Sequence, residues 1–293
     1  MSFEREAFVC LTGERTGPMR TLKNFLAAGA ASLISTAALA ADLPMPPPYI
    51  PPPVQDFGGW YLRGDIGLSN QRIKERHYSR YDTDLVPGSL NQTTDFKSAG
   101  IFGIGAGYQF NSWFRADVTG EYRAKSNYTG RDTFIANGPP PGAGSDNYTG
   151  HKSEWLFLAN AYADLGTWWC ITPFVGAGIG AARVTLGGFN DYLDNGTLTG
   201  VAADNSKWNF AWALHAGLAY KISPSWTMEL AYRYVDMGNG ATGILYNTDG
   251  STINQAMDFR HITSHDVKLG VRWAIDPVPS YAPPMLPPLI RKG

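Results

Sequence analysis

The most reactive set of side chains in the sequence is the stretch His261-Ile-Thr-Ser-His265, which is followed directly by Asp266. A histidine can act as the base for a serine nucleophile and a carboxylate can orient that histidine, so this stretch could hydrolyse an acyl ester of a lipid. Such a triad needs close geometry rather than closeness in sequence, and no other setting for a nucleophile is evident. We therefore expect solvated histidines at the end of a strand and no catalytic residue.

A larger set of charged residues falls at every second position of several segments. Between Arg115 and Arg123, charged or polar side chains alternate with apolar or small ones. A period of two puts the two kinds of residue on opposite faces of a β-strand. The charged residues that should share one face are Arg63, Asp65, Arg115, Asp117, Glu121, Arg123, Asp164, Glu229, Arg233, Asp266, Lys268 and Arg272.

This alternation fits two architectures. A soluble barrel turns its apolar face inward, whereas an outer-membrane barrel turns it toward lipid and fills its interior with polar groups. In the second case the charged set forms a ladder of ion pairs in the lumen, because eight strands leave an interior just wide enough for side chains to fill. We interpret this lumen ladder as structural, with a small ion path as the alternative, and we predict no metal site.

The elements that position these residues indicate which architecture applies. Alternating segments run from Gly59 to Ser69, from Ile101 to Lys125 as a hairpin that turns at Asn111 and Ser112, from Glu154 to Leu165, from Thr172 to about Val184, from Trp208 to Ile222, from Trp226 to Asp236 and from Asp266 to Trp273. The connections are alternately long and short, and the long ones cover about 70–97, 126–152, 185–206 and 237–260. Outer-membrane barrels have short periplasmic turns and long outer loops. The pattern predicts an all-β fold, an eight-stranded antiparallel up-and-down transmembrane β-barrel with both termini in the periplasm.

Composition supports the membrane architecture. Charged residues make up 17% of the chain, below the roughly 25% of typical soluble domains. Tryptophans cluster near both ends of the predicted strands, as in the aromatic girdles of membrane barrels. The net charge of -1 provides no basic surface for nucleic acid.

The two ends of the chain differ from the barrel region. Residues 19–40 have a basic start, an apolar centre and small residues before a cleavage site between Ala40 and Ala41, which is typical of a signal peptide. Residues 1–18 fit no part of such a signal, so we interpret them as a start assigned too early. Residues 41–56 form a proline-rich periplasmic tether, 57–275 the barrel, and 276–293 a proline-rich tail.

Several short motifs together resemble the small outer-membrane β-barrel proteins of alphaproteobacteria. They are Gly-Trp-Tyr-Leu-Arg-Gly-Asp-Ile-Gly at 59–67, Asn-Ala-Tyr-Ala-Asp-Leu-Gly at 160–166, Pro-Phe-Val-Gly-Ala-Gly-Ile-Gly at 173–180, Glu-Leu-Ala-Tyr-Arg-Tyr at 229–234 and Val-Lys-Leu-Gly-Val-Arg-Trp at 267–273. That family includes surface antigens, hemin-binding proteins and porin-family barrels, and it shares its barrel with the OmpA-like transmembrane domain. The family usually ends on an aromatic residue that resembles an assembly signal, whereas twenty residues follow Trp273 here.

The resemblance implies a hemin hypothesis for the predicted outer loops. His77, Tyr78, Tyr81 and His151 are its main candidates, with Tyr128 and Tyr192 beside them, because histidine and tyrosine are ligands of haem iron. Surface loops that contact host molecules need no such ligand, so we expect no cofactor and keep hemin as the alternative.

These observations favour a surface protein of the antigen or adhesin type that contributes to envelope integrity and surface recognition. The expected partners are outer-membrane lipid and lipopolysaccharide, the barrel-assembly machinery and a host or environmental surface ligand, with no nucleic acid. The alternatives are a hemin-binding receptor, a narrow porin-like channel and a lipid-modifying enzyme.

Overall fold

Eight long strands form a closed antiparallel barrel in the part of the chain described by the structure, a computed structural model covering residues 58–79, 81–250 and 255–275. The long strands are β1 (Gly59–His77), β3 (Ala99–Gln109), β4 (Phe114–Ala136), β5 (Gly142–Asp164), β6 (Ile171–Leu193), β8 (Asn205–Lys221), β9 (Trp226–Asp236) and β12 (Asp258–Ala274). Each pairs with the next long strand, and β12 pairs with β1 to close the ring. The predicted eight-stranded up-and-down barrel is confirmed.

Short elements lie between the long strands at one end of the barrel. They are α1 (Tyr81–Asp84), β2 (Asn91–Phe96), β7 (Leu198–Ala202), β10 (Gly240–Ala241) and β11 (Leu245–Asn247). Within the described ranges the helix α1 is a single turn of four residues, and no helical segment there could span a bilayer. The predictions for residues 1–56 and 276–293, including the cleavage site at Ala40 and Ala41, lie outside the described residues.

Short turns close the opposite end of the barrel. At the turn between β3 and β4, the side-chain carbonyl of Asn111 accepts hydrogen bonds from the backbone N–H groups of Trp113 and Phe114 at 3.0 and 2.7 Å. At the turn between β8 and β9, the backbone N–H of Trp226 donates to the hydroxyl of Ser223 at 3.1 Å. These polar residues satisfy backbone groups that a two-residue reversal leaves unpaired, so the predicted short turns lie where the sequence indicated.

The outer wall carries a band of exposed apolar side chains that we call the apolar belt. On β1 its residues alternate with buried charged ones, and Leu68 is 66% exposed. The belt comprises Trp60, Leu62, Ile66, Leu68, Phe102, Ile104, Phe110, Trp113, Val118, Trp155, Phe157, Val175, Ile179, Phe210, Trp212, Leu214, Leu218, Tyr220, Trp226, Met228, Leu230, Tyr232, Val267, Leu269, Val271 and Trp273. A continuous apolar surface of this size indicates contact with lipid, because its exposure to water would cost free energy.

Much of the length that the sequence assigned to long connections at about 70–97 and 126–152 is strand in the structure. β4 and β5 remain paired as far as Ala136 and Gly142, so only 137–141 form the tip of that hairpin. Beyond the apolar belt neither face of a strand needs to be apolar, and the hydropathy contrast that signals a strand therefore fades. A register shift between Arg123 and Ser126 also changes which positions face inward, and this β-bulge interrupts the period of two.

Candidate functional site

The lumen next to the short-turn end is filled by ion pairs around Arg63. Its guanidinium donates hydrogen bonds to Asp117 at 2.8 Å, to Asp65 at 2.8 and 3.0 Å, and to Glu229 at 3.2 Å. These residues belong to β1, β4 and β9, so the contacts cross the interior of the barrel. Burying these charges is costly unless each one is paired. Here one guanidinium faces three buried carboxylates, and further cations assist it. Glu229 also pairs with Arg115 and Arg272, and Asp65 also pairs with Lys268.

A second cluster lies deeper in the lumen around Arg233. This side chain reaches Glu121 through two hydrogen bonds of 2.6 and 2.8 Å and Asp266 through two of 2.8 and 3.0 Å. Lys268 also contacts Glu121, and Arg123 contacts Asp266. Two carboxylates and three cations thus bridge β4, β9 and β12.

The remaining predicted ladder residues lie at the margin of the first cluster. Arg115 contacts Asp164 and Glu229, each at 3.2 Å, and Arg272 contacts Glu229 at 2.7 Å. Arg272 lies close to the short-turn end, and its side chain is 13% exposed. The structure therefore brings all twelve charged residues together inside the barrel wall, where each one has a partner of opposite charge.

Two lumen residues escaped the sequence reasoning. Lys152 pairs with Glu154, and the amide of Gln71 donates to Glu154 at 2.8 Å. Both residues fall within stretches that we assigned to long loops. The signal was present, because Gln71 lies two positions after buried Ser69 and Lys152 two positions before Glu154, which continues the period of two.

The interior toward the long-connection end is apolar over part of its wall, which the prediction of a polar lumen missed. Buried residues there include Leu156, Leu158, Ala182, Val184, Phe189, Ala211, Ala213, Val235, Met237, Phe259 and Ile262. They come from β5, β6, β8, β9 and β12, with Met237 directly after β9, and they pack into one cluster with Tyr128 and Tyr148. Ion pairs and this apolar cluster therefore occupy successive levels of the lumen.

A group of carboxylates and tyrosines lies beyond the apolar belt at the mouth of the barrel. Asp132 on β4 stands directly opposite Asp146 on β5, which brings two like charges together. Asp132 is fully buried and accepts hydrogen bonds from Arg76 and from the hydroxyl of Tyr81, the latter at 2.7 Å. The hydroxyls of Tyr81 and Tyr148 are also hydrogen-bonded to each other.

A third carboxylate extends this group. Asp191 on β6 stands opposite Tyr148, and burial raises the pKa of its carboxyl to about 7, with added repulsion from Asp146 and Asp132. Burial also raises the pKa of Asp132 and of Asp146. The mouth therefore holds more negative charge than Arg76 compensates, and protons are retained more readily there than on ordinary carboxyls.

The hemin candidates do not lie together as side chains that could bind one haem iron. Tyr78 is buried with its ring 5.3 Å from that of Tyr81, edge to face, and the hydroxyl of Tyr81 is held by its hydrogen bonds. His77 lies 3.6 Å from Asp82. His151 lines a groove of about 370 Å³ together with Lys97. Among the described residues no group of three or more histidine, cysteine or acidic side chains is arranged to hold a metal ion, and hemin binding stays a prediction that rests on His77 and His151.

The stretch considered for ester hydrolysis is split by the strand geometry. Ser264 is buried and bonded to Ser69 and Asp266 inside the barrel. His265 faces outward, where its Nδ1 pairs with the hydroxyl of Tyr232 on the apolar belt. Neighbouring residues of a strand point to opposite faces, so this serine and this histidine cannot act as a pair.

Comparison with known proteins agrees with the barrel. The family model described as "Outer membrane protein beta-barrel domain" matches residues 26–273. A Brucella suis protein is 34% identical over 236 residues, which cover 75% of this chain and 83% of that protein. The 31 kDa outer-membrane immunogenic protein of Brucella melitensis is 26% identical over 86% of this chain and 99% of its own length. A candidate adhesin of Rickettsia typhi is 24% identical over 74% of this chain and 88% of its own length.

Proposed function

Since this chain belongs to the outer membrane protein β-barrel domain family, we propose that it is a surface-recognition protein of the outer membrane with a lumen sealed by its own side chains. In this proposal both chain ends lie in the periplasm, beside the short turns, and the outer hairpins meet a host or environmental ligand. Its relatives include an immunogenic outer-membrane protein and a candidate adhesin, which supports a role at the cell surface rather than catalysis.

The observation that carries the proposal is the occupation of the lumen. Arg63, Arg115 and Arg233 are buried with their carboxylate partners, and an apolar cluster follows toward the mouth. Permeation through an apolar constriction requires that it become wetted, which is unfavourable. If the lumen is closed in this way, recognition falls to the outer hairpins of the barrel.

Conductance measurements test the sealed lumen. We expect the refolded full chain to give no single-channel steps in planar bilayers, because ions would have to displace paired charges. A refolded general porin in the same bilayer serves as the positive control. Reproducible steps of one amplitude that require the folded barrel would contradict the sealed lumen and favour the narrow channel.

Removal of an outer hairpin tests recognition. We expect a chain in which 134–144 is replaced by a two-residue turn, which leaves Asp132 and the pairing of β2 in place, to insert normally into a non-adherent Gram-negative host but to lose adhesion to host-cell monolayers. The matched control exchanges the short turn at Ser223 and Pro224 for another turn of equal length. Equal adhesion by both variants would show that this hairpin carries no recognition.

Protease treatment of intact cells tests the orientation. The tip 137–141 reads Asn-Gly-Pro-Pro-Pro and resists most proteases, so a protease site is inserted there. We expect cleavage of that site and protection of epitope tags placed at the chain ends, since those ends lie on the opposite side of the membrane in our proposal. Cleavage of the terminal tags in intact cells would reverse the orientation.

A further inference from the structure

A set of exposed basic residues lies just beyond the apolar belt on one side of the barrel. Along β1, exposed Leu68 is followed at alternate positions by Asn70, Arg72 and Lys74, all of which are exposed. β12 changes in the same way along its length. Exposed Val267 stands opposite Leu68, and the polar residue His265 stands opposite Asn70. The outer wall therefore passes from apolar to polar to basic within a few residues.

The basic residues continue over neighbouring strands. We define the basic patch as Arg72 and Lys74 on β1, Arg260 on β12, Lys97 before β3 and Lys125 on β4, each of which is exposed. β12, β1, β3 and β4 are consecutive in the barrel wall. The basic patch thus covers one sector of the rim rather than the whole circumference.

Along each of three segments in this sector, an acidic residue lies one or two positions farther from the apolar belt than the nearest basic one. Glu75 follows Lys74 on β1 and pairs with Arg260 at 3.8 Å, Asp258 lies two positions beyond Arg260, and Asp95 lies two positions before Lys97 on the side away from β3. The first polar positions outside the belt are Asn70 and His265, the basic residues follow them, and Glu75 stands level with Arg260, with which it pairs. Long basic side chains at this level can lay their alkyl stems on the apolar belt and extend their charges toward the headgroups.

The opposite sector provides an internal comparison. On β6 and β8 the exposed cations beyond the belt are Arg183 and Lys207, with Asp204 just before β8. Asp236 at the end of β9 stands opposite Thr263, which in turn stands opposite Arg72, so Asp236 borders the basic patch. The net charges of the two sectors are therefore equal, 5 − 4 = 1 and 2 − 1 = 1, and the basic patch differs from the opposite sector in its number of exposed cations, five against two.

We propose that the basic patch binds the phosphate groups of an anionic lipid in the outer leaflet. This inference rests on the outward orientation proposed above, which puts the patch at the level of the lipid headgroups. A basic surface next to a membrane attracts anionic headgroups, and the apolar belt directly below the patch takes the acyl chains of the same molecule. A phosphorylated glycolipid meets both requirements, because its phosphates lie at the junction of headgroup and chains.

Lipid binding to the refolded full chain tests the proposal. Native mass spectrometry of the protein in detergent micelles, with bisphosphorylated lipid A as the probe, measures the bound fraction. We expect Arg72→Ala/Lys74→Ala to weaken this binding about tenfold, whereas Arg183→Ala/Lys207→Ala on the opposite sector leaves it unchanged. Removal of both phosphates from the lipid should abolish the difference between the two variants, and added salt should reduce it.

Two outcomes would overturn the proposal. Equal loss of binding in both double variants would show that any cation near the rim suffices, and equal binding of phosphorylated and dephosphorylated lipid would show that acyl chains alone account for the contact. The conservative variant Lys74→Arg retains the charge and should retain binding. Folding is followed by heat-modifiable gel mobility, and failure of lipid binding would leave the adhesion and conductance results intact, so the two proposals fail separately.

Discussion

Replacement of Arg233 by methionine removes the centre of the deeper ion cluster while keeping an unbranched side chain of similar length. The change deletes two hydrogen bonds to Glu121 and two to Asp266 in a site without solvent exposure. Removal of one partner from a buried ion pair costs about 3–5 kcal/mol, because it leaves uncompensated charge. Glu121 keeps Lys268 and Asp266 keeps Arg123, so we expect a loss of about 3 kcal/mol in the free energy of unfolding, at the lower end of that range.

Urea unfolding of the refolded barrel in lipid vesicles, read by heat-modifiable gel mobility, measures this loss. The matched control is Arg131→Met, which removes an arginine from an ion pair with Asp194 whose side chains are 55% and 54% exposed. Exposed pairs contribute about 0–1 kcal/mol, so the control should change little. The variant Glu121→Gln/Arg233→Met should be less destabilised than the sum of its single changes, because the carboxylate that lost Arg233 is then no longer charged.

A single result would refute this reasoning. If Arg233→Met and Arg131→Met changed the free energy of unfolding equally, buried and exposed ion pairs would contribute alike. The lumen cluster would then have to be hydrated in the folded barrel, and the sealed lumen would lose its main support.

Two further predictions concern the mouth of the barrel. The pKa of Asp191 is about 7 when folded and about 3.9 when unfolded, so between these values the folded state binds more protons and stability falls as pH rises. We expect the melting temperature to drop between about pH 4 and pH 7. The drop should be smaller in Asp191→Asn and unchanged in the control Asp194→Asn. If both variants showed the full drop, Asp191 would not be the group responsible. At Gly150 a Cβ atom would lie 2.4 Å from the ring of Tyr128, whereas at Gly142 it would meet nothing within 4 Å. Gly150→Ala should therefore lower the free energy of unfolding by about 1–3 kcal/mol in the same urea assay while Gly142→Ala changes it little, and equal effects would show that the ring can move aside.

The membrane-spanning part of the barrel could be predicted from the sequence, because the lipid and the lumen each restrict the residues on one face of a strand. Between Arg115 and Arg123, lipid requires apolar groups on one face and the lumen requires paired charges on the other, so the period of two is strong. The charged residues that face inward could be named for the same reason. Their partners could not, because Arg233 meets Glu121 and Asp266 only through the register of strands far apart in sequence.

The region beyond the belt was harder to predict from sequence. From Ser126 to Ala136 neither face is lipid-exposed, and threonine, asparagine and glycine there are as typical of loops as of polar strands. The bulge before Ser126 shifts the inward positions by one, so Tyr128 and Asp132 face the interior although the preceding pattern predicts the opposite parity. The lipid-binding proposal also depends on this geometry, because the neighbouring strands bring Lys125 and Arg72 into one sector.

The length of β4 has a consequence for access to the cell surface. The strand contains 23 residues, whereas about 9–11 suffice to cross a bilayer. At about 3.3 Å per residue, the excess extends the wall of the barrel by on the order of 40 Å, because β2 pairs with β4 as far as Thr133, Leu85 bridges to Ala136, and β6 pairs with β5 from Asp146 inward. The tip 137–141 therefore has paired neighbours on both sides, and in the orientation proposed above antibodies would meet it at a fixed height above the lipid.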